Sequence, residues 1–410
     1  MRCGYRDMEV HEAVVIMSKV GLTLVALWLA VASAAWATPI DVAVTLTSPA
    51  DVTTRRAELI DETWGTATLP TTLPTVTLTS NPFQGSLPDV SAVYDYHAAM
   101  SNGQVNDSDL YMNAKPNGRV VIMNMGHQGT TDWPSFATGY NTVPMMTALL
   151  DMGFSIYAMN MPGDATTGAH NALFSAYGNA AMQYFLDPAV EAMNYWDANS
   201  SFSKGYDFVG LSGGGWTGTV LQALDTRVDT SILDAGSLPG TQFCSCSGQN
   251  LGDAEQNWVP FYSIAGYVDL YLMGASGTGR SQLQILNIND GCCFGPEEWN
   301  DTYAAANGGR TWYQQVAYYN GLLAAAATTV PSDFSVVEDS TATQHQISDP
   351  FAVDLAVTTL ETRPEPESGP AILGGSPGPE PVPEPPTLGM IGLAFAGLSF
   401  CRRHRFWCHQ

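Results

Sequence analysis

The seven residues Gly210-Leu211-Ser212-Gly213-Gly214-Gly215-Trp216 constrain this chain more than any other stretch. They follow a short apolar run, residues 206–209, and precede a segment rich in Leu and Val, so they read as a turn from a strand into a helix. The spacing G-x-S-x-G suits a turn so tight that side chains at the flanking positions would clash. Such a turn strains the serine backbone and leaves its hydroxyl standing clear of the sheet. The glycines that run on into the helix let it pack close to the strands.

Apolar runs alternate with helical stretches on both sides of this turn, the pattern of a mainly parallel sheet with helices on both faces. Residues 119–125 and 153–161 read as buried strands, and residues 141–152, apolar at helical spacing, as the helix between them. A helix is expected over 188–196. Further strands are expected at 230–233, 282–288 and 334–338, and a closing helix at 350–360. The Val/Thr-rich region 41–113 reads as antiparallel edge strands. No internal repeat is visible. The composition, 45% hydrophobic and 13% charged, supports one packed domain over residues 38–361.

Around Ser212 the chain resembles the α/β-hydrolase superfamily, whose order is serine, then acid, then histidine. Of the histidines in the body only His345 follows Ser212, and it comes after the strand at 334–338, where the superfamily places its base. Asp290, ending the strand at 282–288, stands where the superfamily carries its acid; Asp339 and Asp234 remain alternatives. A carboxylate is needed there to fix the imidazole tautomer. The resemblance implies an oxyanion hole with Gly213 as one backbone donor. The other comes from the loop Met125-Gly126-His127-Gln128-Gly129, with His127 and Gln128 both open. Met125 stands where esterases usually have histidine.

Both ends read as targeting segments. Lys19, the apolar run 20–31 and the small residues Ala35 and Ala37 make residues 1–37 a signal peptide; the acidic residues before Met17 suggest Met17 as the true start. Residues 362–381 form a Pro/Glu/Gly-rich linker. Residues 382–410 carry Val382-Pro383-Glu384-Pro385, a short apolar run (388–400) and then Arg402, Arg403 and Arg405. This tail resembles the PEP-CTERM sorting signal of Gram-negative bacteria. The resemblance implies an exosortase-type partner, transient insertion in the inner membrane, and a destination at the cell surface or extracellular matrix. The net charge of -24 excludes nucleic acid as a partner.

Cys244, Cys246, Cys292 and Cys293 are spaced C-x-C and C-C, which is no zinc pattern. In an exported chain they read as disulfide candidates, across two loops or between neighbours. Neither a metal nor a cofactor is expected. Trp133, Trp216, Trp258 and Trp312 are read first as core, with a cleft lining as the alternative. The function expected is a serine ester hydrolase acting through an acyl-enzyme on a small-molecule or polysaccharide ester. A peptidase or polyester depolymerase on the same fold, and a non-catalytic matrix-binding protein, are the rivals.

Overall fold

The computed structural model describes residues 43–79, 87, 89–100, 103–127, 140–162, 167–240, 253–292 and 294–363. The expected signal peptide, Gln128, Trp133, Cys244, Cys246, Cys293, the expected linker beyond Arg363 and the sorting tail lie outside them. Among the described residues no helix is long and apolar enough to cross a membrane.

Nine strands of the described chain form one sheet in the order β1-β2-β3-β5-β4-β6-β7-β8-β9. They are β1 (Thr75–Leu78), β2 (Val90–Ala99), β3 (Val105–Asn113), β4 (Val120–Asn124), β5 (Ser155–Met159), β6 (Tyr206–Leu211), β7 (Val228–Asp234), β8 (Ser281–Asn287) and β9 (Phe334–Asp339). The first three are antiparallel, as β3 is to β5, and every pairing from β5 to β9 is parallel. This is the α/β-hydrolase architecture that the sequence suggested.

The inner strands β4 and β5 are buried on both faces, so they read as largely apolar runs while their side chains still alternate. Val120, Ile122 and Phe208 enter the core on one face, and Val121, Met123 and Val209 the core on the other. Helices α2 (Thr142–Asp151) and α10 (Phe351–Thr362) cover the second face through Met146, Leu149, Ala356 and Leu360. The first face takes α1 (Pro49–Trp64), α4 (Gln183–Asn199), α5 (Gly213–Leu224) and α7 (Tyr267–Ala275). Trp196 and Trp216 are its largest fully buried side chains.

Two expectations need correction. The helix expected from Pro188 starts five residues earlier, at Gln183, and Pro188 lies inside it. Residues 183–193 are nearly all buried, and this packing outweighs the hydrogen bond that a proline removes. In the region read as strands only, α1 precedes the antiparallel pieces. It buries just Val52, Leu59, Ile60 and Thr63, too sparse a stripe to stand out, but its ends are marked by Ser48, Pro49 and Gly65.

At the N-terminal edge of the parallel strands a buried charge network holds the body together. Arg119 reaches Asp207 Oδ2 through Nε at 3.0 Å and Asp229 through Nη2 at 2.6 Å. Arg363, just after α10, also pairs with Asp207 and lies over the ring of Phe154.

Candidate active site

Ser212 leaves β6 with φ 59° and ψ −130°, a conformation that non-glycine residues rarely adopt. The surroundings over-determine it. Its N–H donates to the carbonyl of Asp234 at 2.9 Å, and its own carbonyl accepts from Trp216 N–H at 3.0 Å, opening α5. The neighbouring glycines are required by contact. A Cβ on Gly214 would lie 1.8 Å from the carbonyl oxygen of Asn124, and one on Gly210 would lie 2.4 Å from that of Gly214. Helix and strand could not approach so closely with any side chain between them.

The loop after β4 comes up against this turn. Gly126 has φ +64°, and a Cβ there would stand 3.0 Å from the backbone nitrogen of Gly213. Its N–H is already given to Asn124 Oδ1 at 2.9 Å, so this amide is not free to face a ligand. Met161, just after β5, packs so near Gly213 that an added Cβ would meet its sulfur at 2.4 Å. Asn124 and Met161 were not singled out in the sequence, although Asn124 is the last residue of a readable strand.

His345 lies in the loop between β9 and α10. That loop crosses back over the C-terminal edge of the sheet: Ile347 N–H donates to the carbonyl of Tyr140 at 3.1 Å, and Asn141 Nδ2 donates to the carbonyl of Ile347 at 2.9 Å. Tyr140 also sets its ring edge-on to the imidazole at 5.6 Å. The other side of His345 faces Asp290, Nδ1 to Oδ2, at 2.6 Å. Asp290 is fully buried, and its Oδ1 accepts the N–H of Cys292 at 2.8 Å. Burial pulls the imidazole pKa down, but the hydrogen bond and charge of Asp290 outweigh it and hold His345 above its ordinary value. Glu298 stands nearby, its carboxyl pushed up to about 7 by burial and by Cys292 and Asp290.

The two other acids serve differently. Asp339 uses Oδ1 to take the N–H and hydroxyl of Thr341 at 2.6 and 2.7 Å, which ties down the turn leading to His345. Asp234 is buried with neither carboxylate oxygen hydrogen-bonded. Burial first, then the charges of Asp339 and Asp290, push its carboxyl well above the usual carboxylate value.

Trp216 and Trp312 are core residues rather than cleft lining. Both are buried, and their indole N–H groups are spent on Tyr262 Oη and the Phe294 carbonyl. Trp258 is half-buried against Phe174 and donates to Asn179. Cys292 is exposed, and the other cysteines of the expected bridges lie outside the described residues.

Residues 381–403 match the PEP-CTERM protein-sorting motif, which marks the chain for export and sorting to the cell surface. No match is found among curated proteins. Solved structures similar to this chain include an acetyl xylan esterase from Paenibacillus sp. R4, at 13% identity and TM-score 0.48, covering 79% of this chain and 98% of that one. Acetyl xylan esterase 1 from Thermoanaerobacterium sp. JW/SL YS485 is similar at 14% identity and TM-score 0.47, covering 77% and 94%. A cold-adapted esterase from an Arctic intertidal metagenomic library has 12% identity and TM-score 0.44, covering 70% and 99%.

Proposed function

We propose that this chain is an exported serine ester hydrolase, with Ser212 as nucleophile, His345 as general base and Asp290 as the orienting acid. The observation that carries this reading is the buried carboxylate of Asp290 on Nδ1 of an imidazole at the C-terminal edge of the sheet, the edge at which the strained turn bearing Ser212 leaves β6. A buried acid on Nδ1 fixes the proton there and leaves Nε2 as the basic nitrogen. Nε2 takes the hydroxyl proton as Ser212 Oγ attacks the ester carbonyl, and Asp290 stabilises the imidazolium that results.

The oxyanion is received by the N–H of Gly213 together with that of His127 or Gln128, because the Gly126 amide is committed to Asn124. The proton then passes from His345 to the leaving alcohol, and water releases the acyl group by the same steps in reverse roles. A signal peptide over residues 1–37 and removal of the tail by an exosortase-type enzyme at the inner membrane of a Gram-negative cell would deliver the protein to the surface. Acylated extracellular polysaccharide is the ester polymer that such an address brings within reach.

Fluorophosphonate labelling tests the reading directly, since the reagent reports an activated serine whatever the natural ester. Stoichiometric labelling of Ser212, lost in His345→Ala, is expected. An unlabelled, folded protein would refute it. A panel of short and long acyl esters and acetylated sugars then assigns the substrate.

A further inference from the structure

Beside the candidate site lies a second cluster that the mechanism leaves unused. His127, in the loop after β4, places Nε2 2.8 Å from Oδ2 of Asp253. His170, on α3 (Thr167–Tyr177), places Nδ1 3.0 Å from Glu255 Oε2 and 3.6 Å from the same oxygen of Asp253. The two imidazoles stack at 4.8 Å between centroids. Despite these short separations, His127 Nε2, His170 Nδ1 and both oxygens of Glu255 have no partner in hydrogen-bond geometry. Glu255 and His170 are completely buried.

The ring of His170 is oriented by its other nitrogen. Nε2 lies 3.0 Å from the carbonyl oxygen of Pro162, which only accepts, so Nε2 carries the hydrogen. The opposite nitrogen, Nδ1, faces two carboxylates. Such an arrangement needs a positive charge at its centre, because a buried, unpaired carboxylate is costly. A ring nitrogen donating to a backbone carbonyl while its opposite nitrogen faces acidic groups is the arrangement in which metal-binding histidines are held.

We propose that His127, His170 and Asp253 bind one divalent transition-metal ion of the zinc type, with the buried Glu255 beside it on His170. Two imidazole nitrogens and one carboxylate oxygen are a donor set that suits zinc, with the fourth position left to solvent. Bonds of about 2.0–2.1 Å in a tetrahedron set neighbouring donors roughly 3.3 Å apart. The separations of 2.8 and 3.6 Å from Asp253 Oδ2 bracket that value, and the donor atoms of all three residues lie within 4.8 Å of one another. The ligands come from three separate stretches of chain, which is why no sequence spacing announces them.

The ion fastens His127 to α3 and to Asp253. If the ester-hydrolase reading holds, it also fixes the backbone of an oxyanion loop, a consequence that rests on that reading; the binding itself does not. The direct test is calorimetric titration of zinc chloride into chelator-treated, tag-free protein, with metal content measured after dialysis. One equivalent is expected, with a raised Tm and the strong visible absorption of four-coordinate cobalt when Co²⁺ replaces zinc. His170→Gln and Asp253→Asn should weaken binding by more than the 10–100-fold typical of lost outer-shell partners. Should either variant fail to fold, His127→Gln, at a partly exposed side chain, serves in its place. Cys292→Ser should leave the equivalent intact. Binding well below one equivalent, retention by the ligand variants, or loss in Cys292→Ser would overturn the proposal. None of these readouts depends on hydrolysis, so its failure and that of the ester-hydrolase reading can be told apart.

Discussion

His345 gives its Nδ1 hydrogen to Oδ2 of Asp290 across 2.6 Å, joining the loop after β9 to the end of β8. Asp339 is engaged with Thr341, so replacement should separate it from Asp290. Asp290→Asn is expected to lower kcat by about 10⁴ through the wrong imidazole tautomer, and Asp339→Asn by less than about tenfold. Steady-state kinetics on an activated ester checks the ranking. The reverse order would transfer the acid's role to Asp339.

Ser212 pairs chemistry with backbone strain, and the two separate on substitution. Ser212→Ala and Ser212→Gly should both lose ester hydrolysis while remaining folded. The glycine variant should be the more stable by about 1 kcal/mol, because only glycine adopts φ 59°, ψ −130° at little cost. Denaturant unfolding of the pair measures the difference. Equal midpoints would show that the turn stores no strain.

The base must be neutral to accept a proton, and Asp290 raises the pKa of His345. The acid limb of kcat/KM should therefore fall above the ordinary imidazole value of about 6.5, with activity lost as pH drops through it. The charge on Glu298 acts in the same direction, so Glu298→Gln should move that limb to lower pH. A limb unmoved in the variant would mean that Glu298 does not act on the base.

Asp234 holds its proton in the folded state more tightly than when unfolded. Between its unfolded pKa, about 3.9, and its raised folded value, the folded protein binds more protons, so this group costs stability as pH rises. Asp234→Asn keeps the shape and removes the ionisation. Its Tm relative to the parent should be more favourable at pH 8 than at pH 4, by thermal unfolding at both. A difference independent of pH would show that Asp234 titrates normally.

The sorting motif predicts processing. Intact-mass measurement of protein taken from the surface of the producing cell should give a chain shortened at its C-terminus, lacking the Arg402-Arg403 segment. A mass extending to Gln410 would mean that the motif is not processed.

Much of this was legible because strands buried on both faces leave long apolar runs, and because the turn at Ser212 tolerates so few residues. The strands expected to end at residues 125, 209 and 288 end at 124, 211 and 287, and the order of residues that the resemblance implies is what pointed to His345. What stayed hidden depends on distance in space rather than along the chain. The cover of Met161 over Gly213 and the influence of Glu298 on His345 arise only when separate loops meet. Trp216 and Trp312 were ambiguous because an indole suits both a core and a cleft; only their buried N–H partners decide.

The pairing of Arg363 with Asp207 pins the end of α10 to the edge of the sheet opposite Ser212 and His345. The folded body is thus polarised: the strands point their chemistry one way and the polypeptide takes its leave at the other. On the proposed reading, a large ester that reaches Ser212 meets the end of the strands away from Arg363.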